Sequence, residues 1–157
     1  MKKQKEVPTG IKLIIAFLML NLIIFIVGQG GAVVAYDDVA KLGLQEARET
    51  IDPVIVVVNS GIGLADVIIG VPLFIFAIVG LWRLRFYGAV CAWMILGISL
   101  YWPAVAWAKQ AFYIQASIKA LPFSFGTHGV LAFVVIVSLW ASWYLYKHRK
   151  LLDYRPN

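Results

Sequence analysis

A chain of 157 residues that is 62% hydrophobic and 14% charged, with mean hydropathy +0.85, carries more apolar surface than a water-soluble domain, where roughly 45–50% is usual. The net charge of +6 would suit nucleic acid in a soluble protein, but here the basic residues flank apolar runs, where they set orientation, so no nucleic-acid partner is expected. The single cysteine, Cys91, excludes an internal disulfide and cysteine-based zinc or iron–sulfur sites, and no metal or cofactor is expected.

The predicted fold is all-α: a polytopic integral membrane protein, an antiparallel four-transmembrane-helix bundle with a short amphipathic helix in its first outer loop. The first span covers about 11–31, following a lysine-rich start. The same features, closing on Val33-Val34-Ala35, also describe a secretory signal peptide cut after Ala35. An apolar run of about 17 residues exceeds the roughly 7–15 of a signal core, which favours a retained span. Asn21, near mid-span, needs a partner in hydrocarbon and is expected to join helices. Gln29, among Gly28, Gly30 and Gly31, offers backbone to an anion or headgroup, although glycine-rich helix ends are common in spans.

Residues 36–60 form the outer loop, in which Asp37, Asp38, Glu46, Glu49 and Asp52 face only Lys41 and Arg48. Val39, Leu42, Ala47 and Ile51 fit one face of an amphipathic helix capped by Asp37 or Asp38 and stopped by Pro53. Val54 to Val58 reads equally as an extended piece or as helix.

The second span, 62–81, sets Gly63, Asp66, Gly70, Leu73, Ala77 and Gly80 on one stripe, mostly small. Small stripes let helices approach closely, the main route to association in lipid. Pro72 lies off the stripe, where it can bend the helix. A basic turn with Arg83 and Arg85 leads to the third span, 88–107, whose Gly88, Ala92, Ile95, Ser99 and Trp102 make the natural mate. Residues 109–119 can prolong that helix before Pro122, Gly126 and Gly129 break it. The fourth span is 129–146, and the cytoplasmic tail, 147–157, opens with Lys147-His148-Arg149-Lys150, where Lys147, Arg149 and Lys150 would meet anionic lipid.

Lys2, Lys3, Lys5, Lys12, Arg83, Arg85, Lys147, Arg149, Lys150 and Arg155 fall on one side of this topology, and Lys41, Arg48, Lys109 and Lys119 on the other. Both termini are therefore expected in the cytoplasm, with the cell membrane as the site.

Asp66 is the leading ionisable candidate, since a charge within a span is costly and by default functional. Its bland reading is that, close to the outer end of its helix, it complements the macrodipole. His128, predicted at the same level, could pair with Asp66 as an ion or proton site, against the plain reading of a loop histidine. The chain carries no phosphate-binding loop, zinc-protease motif or nucleophile elbow, so an enzyme is not the favoured class. The leading expectation is a non-catalytic packing or accessory component that meets lipid and either itself or another membrane subunit. Rivals are an oligomeric transporter or channel coupled to protons or cations through Asp66, and an intramembrane or lipid-modifying enzyme using Asp66 and His128.

Overall fold

The computed structural model describes residues 6–118, 120 and 122–152. Lys2, Lys3, Lys5, Lys119 and Arg155, which enter the charge count, lie outside them, as does the tail beyond residue 152. The helices are α1 (Thr9–Val34), α2 (Tyr36–Lys41), α3 (Pro53–Trp82), α4 (Phe86–Gln115) and α5 (Phe125–Lys147), with 3₁₀ turns at Arg48–Thr50 and Arg149–Leu151. No strand occurs among the described residues. All except α2 are long and apolar enough to cross a membrane, the make-up of a membrane protein.

The boundaries differ from the sequence reading for identifiable reasons. Residues 54–58 are helical, because Asp52 accepts a bond from the Val54 N–H at 2.9 Å and Pro53 takes the first helical position. Pro53 thus starts α3 instead of stopping its predecessor, since its missing N–H is no loss at that position. The outer loop shortens accordingly. The amphipathic helix is only α2: Asp37 and Asp38 sit in its first turn without capping it, and Gly43, at φ 73°, ends it. Gly126 and Gly129 do not break a helix. They lie in the first turns of α5, whose start is fixed by Ser124 accepting from the Thr127 N–H at 3.1 Å.

Two π-helical turns interrupt the regular winding, Ile26–Gly30 in α1 and Asp66–Gly70 in α3, and they pack against each other. The second ends two residues before Pro72, which cannot donate to the carbonyl one turn back, so a local widening of the helix accommodates the missing bond.

The connection from α3 to α4 is tight. Leu84 takes φ 51°, Arg85 N–H bonds Gly80 O at 2.8 Å and Leu84 N–H bonds Leu81 O at 3.0 Å, a Schellman turn with leucine where glycine is usual. Leu84 tolerates that backbone because its side chain is buried in the core. Beyond the turn, Gly80 and Gly88 meet backbone to backbone, and a Cβ on either would strike the other's main chain. The main apolar cluster gathers at this end of the molecule, around Ile14, Leu18, Ala77, Leu81, Ala92 and Ile95, with Leu145 from α5. A smaller cluster, Ala32, Tyr36, Ile51, Ile55 and Val56, joins the end of α1 and α2 to the start of α3.

Candidate functional site

Between those clusters lies a partly open cavity of about 170 Å³ lined by α1, the loop before α3, α3 itself and α4. Its polar wall is a chain of contacts. Gln45 Nε2 donates to Gly28 O at 3.4 Å, Asn59 Nδ2 donates to Gln45 Oε1 at 3.3 Å, and Lys109 Nζ donates to Asn59 Oδ1 at 3.5 Å. The Lys109 ammonium also lies 5.7 Å from the centre of the Tyr113 ring. Trp102, Tyr113 and Phe123 supply aromatic surface. Ser60 Oγ, bonded to Ala32 O at 2.9 Å, ties α3 to α1 beside this wall.

Asp66 lies one turn along α3 from Ile62, a lining residue. The earlier start of α3 leaves it about 20 Å along the axis from Pro53, at about 1.5 Å per residue, and no longer in a first turn. The macrodipole account of Asp66 therefore fails. The Trp102 side chain faces the carboxylate, yet Asp66 Oδ2 is buried with no hydrogen-bond partner. An oxygen in that setting is completed by a proton, a water from the neighbouring cavity, a cation or a ligand's donor group.

His128 is elsewhere. Its Nδ1 accepts from Trp107 Nε1 at 3.1 Å, and its ring meets Phe123 edge to face at 5.8 Å between centroids. Asp66 and His128 thus contact different tryptophans of α4, and no contact joins them among the described residues. Nor do three His, Cys, Asp or Glu side chains gather as a metal group among those residues.

The small residues of the stripe are used inside the chain. Gly63 admits the Gln29 carbonyl, which a Cβ would meet at 2.5 Å, and Gly70 admits the Phe25 ring, also at 2.5 Å. Ala77 and Ala92 are fully buried. Ser99 Oγ bonds Ile95 O of its own helix at 2.9 Å, and Asn21 Nδ2 likewise bonds Phe17 O at 2.8 Å, a local bond where an interhelical one was expected. In an apolar helix the carbonyl one turn back is always within reach, and both side chains take it. At the far end, Lys147 lies 4.9 Å over the Trp143 ring and Arg149 4.4 Å over the Tyr146 ring, while Lys150 is exposed. Aromatic–cation pairs of this kind suit a membrane–water interface.

Sequence reasoning missed Asn59, Lys109 and Gln45. The signal was present: Gly80 with Gly88, Asp66 with Trp102 and Asn59 with Lys109 share one sum of residue numbers, so a hairpin centred on Leu84 fixes all three pairings. No family model, curated protein or solved structure matches this chain.

Proposed function

We propose that the chain is a small membrane carrier that moves a polar solute together with a proton or cation held at Asp66. What supports it is the orphaned, buried carboxyl oxygen of Asp66, at the π-helical turn of a 30-residue membrane-length helix and one turn from the polar cavity. In this reading the four long helices form an antiparallel bundle in the cell membrane with both termini cytoplasmic, so the cavity opens outward. Four helices leave little room for a path through one chain, and the working unit is an oligomer of identical copies. Purified protein in vesicles loaded with a pH-sensitive dye tests the reading under imposed proton and sodium gradients. With a panel of small polar solutes supplied outside, wild type is expected to pass protons faster than empty vesicles and Asp66→Asn to fall to their level while staying folded. Wild-type flux equal to empty vesicles with every solute and gradient overturns it.

The second reading, a non-catalytic accessory component, has its own supporting observation. Val90, Met94, Gly97, Tyr101, Ala104 and Ala108 form an exposed stripe along α4, and a Cβ added at Gly97 meets nothing. The inner stripe of Gly63, Gly70 and Gly80 no longer argues for a partner, because α1 and α4 occupy it. Native mass spectrometry of the complex from its own membrane separates the two: a stoichiometric foreign chain supports the accessory role, a homo-oligomer the carrier.

A further inference from the structure

We infer that the cavity beside Asp66 is a binding site for a small organic carboxylate, with Lys109 as its anchor; this rests on the carrier reading and names its solute. Lys109 sits half-buried on α4, and its contacts are Asn59 Oδ1 and the Tyr113 ring, both formally neutral. No carboxylate lies within ion-pair distance of it among the described residues. A cation held at a helix interface by neutral groups lacks its counter-charge, and an incoming anion supplies it. Glu46 also lines the cavity and has an interaction of its own, so the comparison of acid with amide below decides whether Lys109 sets the sign of the ligand.

The rest of the wall fits the same chemistry. Gln29 and Gln110 add amide donors, and Trp102 and Tyr113 offer flat apolar surface to a short carbon chain. A volume of about 170 Å³ is several times the roughly 30 Å³ share of one water. It is below the roughly 300–1,000 Å³ of sites for drug-sized ligands, so the acid has few carbons. A carboxylate also gives a proton at Asp66 a companion of opposite charge. The carrier loaded with both has the same net charge as the empty one, which removes the Coulombic penalty of carrying either alone through hydrocarbon.

The test is calorimetric binding to the full chain in phosphatidylcholine nanodiscs, with acetate, lactate and butyrate against acetamide, lactamide, butyramide and inorganic phosphate. At least one carboxylate is expected to bind saturably and its amide not. Lys109→Gln is expected to weaken binding roughly 10–100-fold, and Lys109→Arg to retain most of it. Equal binding of acid and amide, preference for phosphate, no carboxylate binding, or an unchanged affinity in folded Lys109→Gln overturns the assignment. The acid-against-amide comparison needs no variant, so a misfolded Lys109→Gln leaves the test intact. Proton flux in vesicles without carboxylate binding sinks this inference alone; carboxylate binding without flux sinks the carrier reading and leaves a binding protein.

Discussion

At the scale of single residues, the chain spends its polar groups unevenly. Asn21 and Ser99 are satisfied within their own helices, whereas Asp66 Oδ2, Tyr36 Oη and Ser138 Oγ are buried without partners. Tyr36, outside the long helices, gives the cleanest stability test. Burial pushes its phenol above the ordinary value of 10.0, and Asn59 beside it opposes part of that shift. The folded chain then holds the phenolic proton to higher pH than the unfolded chain does. This contribution is complete below about pH 10 and is lost as pH rises through the folded value. Tyr36→Phe keeps the ring beneath Arg48, whose guanidinium carbon lies 4.6 Å from its centre, and removes the orphaned hydroxyl. The variant is expected to gain about 1 kcal/mol at neutral pH and to lose less stability than wild type above pH 10. Denaturant unfolding in micelles across that range checks both, and an alkaline arm identical to that of wild type refutes the assignment. Asp66 was legible as a costly residue from the sequence, but its depth was not. Depth depends on where α3 begins, and a five-residue run of β-branched residues carries no usable periodicity.

At the scale of elements, the α3–α4 hairpin orders the site. A turn at Leu84 sets Gly80 on Gly88, and the same register carries Trp102 to Asp66 and Lys109 to Asn59 further up. The stripe was legible because a small residue every three or four positions is a one-dimensional pattern. Lys109 and Asn59 were not, because the second span was taken to begin after Asn59 and the helix of Lys109 to leave the membrane before it. The paired π turns were illegible altogether: the one in α3 precedes Pro72 and the two pack against each other, an arrangement no residue pattern announces. The hairpin makes a sharp contrast among glycines. Gly80→Ala or Gly88→Ala drives a methyl into facing backbone, which cannot move aside as a flexible side chain would. A loss of about 1–3 kcal/mol is expected. Gly97→Ala, with open space around it, is expected to be neutral or to gain up to about 1 kcal/mol from helix propensity. Thermal unfolding of the three variants in one detergent decides. A Gly80→Ala protein as stable as Gly97→Ala would show that the close approach is not a determinant of stability.

At the scale of the whole molecule, the two ends differ in kind. The hairpin end is close-packed and apolar inside, and its rim carries Arg83, Arg85 and the aromatic-backed Lys147 and Arg149. The opposite end holds the cavity, the acidic loop residues and the Arg48–Asp37 pair at 2.6 Å. An ion pair of this kind, with both partners largely exposed, adds little stability. Its place in the molecule says more: charge concentrated at the open end suits water, and the basic rim suits the cytoplasmic leaflet, where each basic residue gains about 1 kcal/mol from anionic lipid. On the carrier reading proposed above, that orientation has the solute enter from outside. In a Cys91→Ala background, Leu44→Cys is expected to react with a membrane-impermeant maleimide added to intact cells, because Leu44 is exposed in the loop near the cavity. Lys150→Cys is expected to react only after the membrane is opened. The reverse pattern would turn the cavity toward the cytoplasm. The hairpin register and the contacts of Lys109 would be untouched, but the direction of solute entry would invert, and with it the sign of the proton gradient that loads Asp66.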